Sequence, residues 1–433
     1  MKRMKRGFRT ALITLLCFCI GFAASGCAVE REKGSEKESE SESAKSEGDK
    51  ITIRIMHYWG NTDTDISARH LNEILDHEFS EAFPGVELVQ ETCDNETYKK
   101  KIKVSIASGE AADIMFSYGD GFMKTFVQNG KLLALDDYID DTYKERMIED
   151  KQSGFVFDGQ RYGVGCVSWQ GALYCNRELF DQAGVEIPTT YEELLAACEA
   201  LRKADIEPIA IGMIDRWQGA SWINNFTLQL GGADHYKELA YGDISRNDPV
   251  LEQAAQLTAD LISANAFCSD MYKFSSSQAE SLFLEGGAAM IYMGSWFTVQ
   301  AEEGLGDQLV VVRMPTVEGA ACGDVYHGGT ANGWVVSADT DYPELSARIA
   351  VWISYRLSAY EPENAAFDIP QEEWENTISP AAQTVLELYQ DQKAGGINWD
   401  TMMGSQDASG WLDAVADFWK KGQTGANLTA ALD

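Results

Sequence analysis

Aromatic side chains placed just past the ends of apolar runs are the residues here most capable of chemistry. Trp59 follows the run 51–56, Tyr118 and Asp120 follow 113–116, and Trp296 follows 288–292 through Gly294 and Ser295. Trp217 and Trp222 bracket Gly219 where an apolar run passes into a helical pattern, and Trp399 sits in Gly396-Ile-Asn-Trp-Asp400. The chain holds 11 Trp and 17 Tyr, enough for several to face a ligand without emptying the core. Flat indoles stack on apolar C–H faces, while carboxylates and amides hydrogen-bond to hydroxyls. Such a set suits capture of a solute that has both. At Asp120 a hydroxyl contact and plain solvation of the turn are both open.

Catalytic patterns are weaker. Carboxylates among aromatics also describe a glycosidase, but 68 acidic residues make such pairs common by chance. There is no G-x-S-x-G and no H-E-x-x-H, and His57, His70, His77, His235 and His327 have no ligand-like spacing. We therefore expect no catalytic residues, no metal and no cofactor.

The elements that must position the aromatics alternate. Strand patterns at 51–56, 86–89 and 113–116 are separated by helical patterns at 66–83 and 98–107. The alternation recurs through strands at 172–175, 209–212, 288–292, 309–312 and 334–337, with helices between them and a helical tail at 408–421. Strand–helix–strand units of this length predict an α/β fold with mainly parallel sheets, whose ligand crevices lie beyond strand ends. Trp334, Trp352, Trp411 and Trp419 fall on apolar stripes and are expected in the core.

The first 26 residues read as an export signal. Lys2, Arg3, Lys5, Arg6 and Arg9 precede an apolar stretch, 11–23, too short to span a bilayer comfortably. It closes on Ala24-Ser25-Gly26-Cys27, which resembles the bacterial lipobox and implies cleavage before Cys27 and diacylglycerol upon it. Residues 27–50 form a polar leash of Glu, Ser, Lys and Gly, with no aromatic residue. With 35 basic and 68 acidic residues, five of the basic ones in the signal, the exported form carries 30 − 68 = −38. That charge excludes nucleic acid and disfavours anionic ligands. Cys93, Cys166, Cys175, Cys198, Cys268 and Cys322 show no C-x-x-C pair, and most are expected as buried free thiols.

Four segments carry a family resemblance. They are Ala107-Ser-Gly-Glu-Ala-Ala-Asp113-Ile-Met-Phe, then Phe126-Val-Gln-Asn-Gly130-Lys-Leu-Leu-Ala-Leu135-Asp-Asp-Tyr. Asp158-Gly-Gln-Arg-Tyr162-Gly-Val follows, leading to Leu173-Tyr-Cys-Asn176 and Pro188-Thr-Thr-Tyr-Glu-Glu, and last comes Phe283-Leu-Glu-Gly286 to Trp296. In this order they resemble the extracellular solute-binding proteins of ABC transporters, in the carbohydrate-binding family related to maltose-binding protein. Ala112 stands where the family has proline, and Cys175 where it has tyrosine.

The resemblance implies a two-lobed periplasmic-binding-protein-like fold. The N-terminal lobe is then 51–163 plus 334–357, and the C-terminal lobe 164–333 plus 358–433. Crossings near 162–168, 326–334 and 357 would form the hinge. It makes Trp296 a stacking residue and adds Trp169, Gly329 and Asn332 at the crossings. The implied function is capture of a sugar or oligosaccharide for a permease, by a monomer held at the membrane through Cys27. The alternatives are the same fold with a non-sugar solute, or an exported carbohydrate-active enzyme.

Overall fold

Eleven strands carry the architecture: β1 (Ile51–His57), β2 (Val86–Thr92), β3 (Ile114–Tyr118), β4 (Val156–Phe157), β5 (Gln160–Arg161), β6 (Gly163–Asn176), β7 (Ile209–Ala210), β8 (Met290–Gly294), β9 (Leu309–Val312), β10 (Val325–Val336) and β11 (Lys393–Gly396). The computed structural model describes residues 50–433 apart from 64, 321–323, 421 and 433. The signal, Cys27, the leash and Cys322 lie outside the described residues. Residues 49–433 form one compact unit.

Nine strands form one sheet in the order β2-β1-β3-β10-β6-β8-β7, with β11 added on β10 and β9 on β6. Pairing is parallel in β1–β2, β1–β3, β7–β8 and β10–β11. It is antiparallel for β3–β10, β10–β6, β6–β8 and β6–β9. The two long strands β6 and β10 are thus antiparallel to each other, β6 also to β8 and β9 and β10 to β3, while β10 takes β11 in parallel.

Those two strands are the main departure from the expected elements. The strand patterns at 172–175 and 334–337 are only the ends of a 14-residue β6 and a 12-residue β10. Their other halves carry Gly163, Gly165, Gly328, Gly329 and Gly333, which weaken the apolar signal. At Gly328 φ is +152°, and an added Cβ would collide with the Trp169 carbonyl. Only glycine fits there, and the register shifts between Gly329 and Asn332.

Local signals set many helix ends. Thr190 caps Tyr191–Lys203 in a reciprocal capping box with Glu193. Gly184, at φ +66°, ends Arg177–Ala183. The expected helix at 66–83 is broken into Ile66–His77 and Phe79–Ala82. Trp334, Trp411 and Trp419 are at most 1% exposed, whereas Trp352 is half-buried against Phe79 and Phe83. Cys93, Cys166, Cys175, Cys198 and Cys268 are free thiols, all but Cys93 buried. Among the described residues no helix is long and apolar enough to cross a membrane.

Candidate functional site

Three tryptophans from distant parts of the chain meet beside the crossing strands. Trp169 lies on β6, Trp296 on the single turn Ser295–Phe297 after β8, and Trp217 opens the helix Trp217–Tyr241. The Trp296 ring centre is 5.2 Å from Trp169 and 6.2 Å from Trp217. Trp217 and Trp296 are half-buried, so each keeps an open face, whereas Trp169 is 6% exposed and backs them. Gly294 makes the arrangement possible, because a Cβ there would strike the Trp296 ring. Gly329 stands opposite Trp169 in the β10–β6 register, and Asn332 stands opposite Tyr118 and Val167.

Carboxylates from several elements lie close enough to feel one another's charge, and one of them, Asp215, sits two residues before Trp217; they were not legible as a set in the sequence. Asp65 caps the helix Ile66–His77 through the Ala68 N–H at 3.1 Å. Asp215, two residues before Trp217, accepts from the Ser276 N–H and hydroxyl, both at 2.7 Å. Glu280 lies one turn further along the helix Ser276–Leu284 and feels the charges of Asp65 and Asp215. Burial first, and those charges second, raise the Glu280 carboxyl to about 7. Asp65 is pushed up to about 6, chiefly by burial, with Glu361 adding to the rise. Glu363 is likewise raised to about 7 by burial and by Glu361.

Few cations answer them. Arg69 is held by Glu303 at 3.1 Å, and Arg216 is bonded to Asp413. His70 Nδ1 meets Glu361 at 3.2 Å, and its Nε2 meets Asn376 at 3.1 Å. Among the described residues no Lys or Arg is ion-paired with Asp65, Asp215, Glu280, Glu361 or Glu363, and no group of three or more His, Cys, Asp or Glu is arranged to hold a metal ion. The site can therefore accept hydrogen bonds from many donors beside a stacking surface.

Other expected residues divide. Tyr118 stacks on Tyr58 (13° between rings) and donates its hydroxyl to Asn95 Oδ1 at 2.6 Å, leaving it 6% exposed. Asp120 holds φ at +53° and accepts from the Tyr241 hydroxyl at 3.1 Å; burial raises its carboxyl above the ordinary value. Arg216, beside Trp217, is also left-handed at +66°. Non-glycine residues pay strain for such angles, and the loop tips that carry them are frequent functional positions.

Three placements are corrected. Trp222 does not wall a cleft: it is 1% exposed among Phe226, Phe267 and Tyr292. Trp399 is fully buried between Tyr236 and Trp411. Trp59 is 2% exposed, packed edge-on to Phe116 and Trp334. Trp59 follows a strand, Trp399 a loop, and Trp222 lies within the first turns of the helix Trp217–Tyr241, but each ring turns inward because neighbouring aromatics bury more apolar area there. Tyr174 also points inward, with its hydroxyl 2.7 Å from that of Thr298.

The segment after β11 reaches the β1–β2–β3 side of the molecule. Lys99, on the helix Asn95–Ser108, lies 2.9 Å from both Asp400 and Glu96. Burial alone would lower its ammonium, but the two carboxylates outweigh that and leave it above its ordinary value. Gly121 permits this approach, since a Cβ would collide with the Met402 carbonyl.

Comparison with known proteins identifies the family and the fold. The family model described as bacterial extracellular solute-binding protein matches residues 66–358. A putative binding protein of Brucella abortus is 24% identical over 221 residues, so the chain spans about half (53%) of that relative's length and 51% of its own. The arabinooligosaccharide-binding protein of Halalkalibacterium halodurans is 22% identical over 329 residues, 72% of this chain and 70% of that one. A structure solved in work on xylan utilization by Caldanaerobius polysaccharolyticus superposes with a TM-score of 0.80 at 27% identity, covering 88% of this chain and 99% of that one. The fold is thus the two-lobed fold of periplasmic binding proteins. With two thirds of its length matched by one family model, the chain belongs to the bacterial extracellular solute-binding proteins.

Proposed function

We propose that the protein captures a sugar or oligosaccharide between its lobes and passes it to an ABC permease. The observation that carries this reading is the Trp169–Trp296–Trp217 cluster, with Asp215 two residues before Trp217 and with Glu280 within reach of the charges of Asp215 and Asp65. Indoles take the C–H faces of a sugar ring and carboxylates take its hydroxyls. The scarcity of free cations favours a neutral solute over a phosphorylated or uronate one. The names of the H. halodurans relative and of the C. polysaccharolyticus study support oligosaccharides as the class to test.

The lobes in this reading are 51–163 plus 334–357 and 164–333 plus 358–433, joined by β6, β10 and the chain near 357. Closure about these strands traps the solute. Cys27 carries the lipid that holds the protein at the outer face of the membrane as a monomer, where tethering raises its effective concentration near the permease. No catalysis is assigned.

A thermal-shift screen of the exported form against neutral, amine-bearing and uronate oligosaccharides tests the reading. We expect a rise in melting temperature with at least one neutral oligosaccharide and none with the uronates. Stabilisation only by non-sugar solutes would overturn it. The paired raised carboxyls Asp65 and Glu280 also give an enzyme reading a definite test. Sustained release of chromophore from an aryl glycoside would establish that reading instead.

A further inference from the structure

A chain of hydrogen bonds behind Trp169 fixes where a buried histidine carries its proton. It starts on the backbone. Gln229 Oε1 accepts from the Val317 N–H at 2.9 Å, and Gln229 Nε2 donates to the Pro315 carbonyl at 3.2 Å. An N–H can only donate and a carbonyl can only accept, so the Gln229 amide has one orientation. Its Nε2 also donates to Asn225 Oδ1 at 2.8 Å, which turns Asn225 Nδ2 to the Tyr292 hydroxyl, again at 2.8 Å. Tyr292 accepts there, and among the described residues its own proton has no acceptor within hydrogen-bond reach other than His327. His327 Nδ1 lies 2.9 Å away and receives it. The imidazole therefore accepts at Nδ1 and bears its own proton on Nε2.

That N–H is the one unsatisfied end of the relay. His327 is 2% exposed, and its Nε2 is buried without a hydrogen-bond partner in the protein. Burial holds the imidazole at about 3, so it stays neutral at ordinary pH. Its ring lies edge-on to Trp169, 5.1 Å between centres, and so abuts the indole that continues through Trp296 to Trp217. A buried donor left unmade is costly, and three side chains in sequence (Gln229, Asn225 and Tyr292) orient this one.

We propose that His327 reads the solute: its Nε2–H donates to an acceptor oxygen of the sugar held against Trp169. Hydroxyl, ring and glycosidic oxygens satisfy it, whereas an ammonium at that position offers no lone pair and is rejected. This rests on the sugar reading of the cleft and adds to it one directed hydrogen bond and one excluded substituent.

Two measurements test it independently. In the ligand-free protein, ¹⁵N-resolved NMR of the imidazole is expected to show the neutral Nε2–H form from about pH 5 to 8. Protonation in that range, or a proton on Nδ1, would overturn the proposal and leave the sugar reading untouched. Calorimetry then compares wild type, His327→Phe and Tyr292→Phe with xylo- and arabino-oligosaccharides as probes. His327→Phe is expected to bind about tenfold more weakly, and it also strips the buried Tyr292 hydroxyl of its acceptor. The double variant His327→Phe with Tyr292→Phe, which removes both ends of that bond, is therefore expected to keep the loss of affinity with a smaller change in melting temperature. Tyr292→Phe, which frees the tautomer, is expected to lose about threefold. Unchanged affinity in His327→Phe, or a loss that only tracks its melting temperature, would overturn the role. Failure of wild type to bind either probe would instead count against the sugar reading, with the tautomer still decided by NMR.

Discussion

Trp296 and Trp222 show how two residues of one type, both set near strand ends, separate by burial. Trp296 keeps an open face, and Trp222 is 1% exposed. Replacing Trp296 by Ala is expected to cost about 2 kcal/mol of solute affinity, roughly thirtyfold, with little change in melting temperature. Trp222→Ala is expected instead to lower unfolding free energy by about 3–5 kcal/mol in denaturant titration. The raised carboxyls make a separate prediction. Glu280 moves from 4.5 in the unfolded chain to about 7 when folded, so the folded state holds the proton more tightly. Its contribution to stability is then fullest below pH 4.5 and is lost as pH rises through about 7. Melting temperatures between pH 4.5 and 7.5 should fall less steeply in Glu280→Gln than in wild type. An identical slope would place the ionised carboxylate in a better-solvated environment than the structure gives it.

At the scale of elements, the helices and short parallel strands were legible because their signals are local. Thr190 with Glu193, Gly184 after its helix, and the apolar period of Ile66–His77 each act within a turn or two. The crossing strands were less legible, since glycines interrupt β6 and β10 where the chain must bend or approach a neighbour closely. The aromatic half of the site could be anticipated from position after strands, but which way each indole turns depends on partners hundreds of residues away. Asp65 left a readable trace as a helix cap directly after β1 and the loop behind it. Glu280, Asp215 and Glu363 left none, because 68 acidic residues hide any particular set. Gly328 tests the crossing directly. Gly328→Ala forces a Cβ toward the Trp169 carbonyl at a φ that disfavours side chains, and is expected to cost about 1–3 kcal/mol in chemical denaturation. The same change at Gly130, where a Cβ meets open space, carries only the backbone part of that cost.

The whole molecule is held across its long sheet by more than the crossing strands. Lys99 with Asp400 joins the helix Asn95–Ser108 to the segment after β11, and both side chains are largely buried. Lys99→Met leaves the Asp400 carboxylate buried and unpaired, and should cost about 3–5 kcal/mol; adding Asp400→Leu should restore most of it. Asp120 with Tyr241 and Arg69 with Glu303 add further ties between chain segments far apart in sequence. In the proposed function, the Trp169–Trp296–Trp217 cluster and the carboxylates of Asp65, Asp215 and Glu280 meet the solute together. Isothermal titration of wild type and Trp296→Ala with the neutral oligosaccharide that most raises the melting temperature tests it most directly. One solute per chain is expected in wild type, with an affinity about thirtyfold lower in the variant. Equal affinity in the two proteins would contradict it.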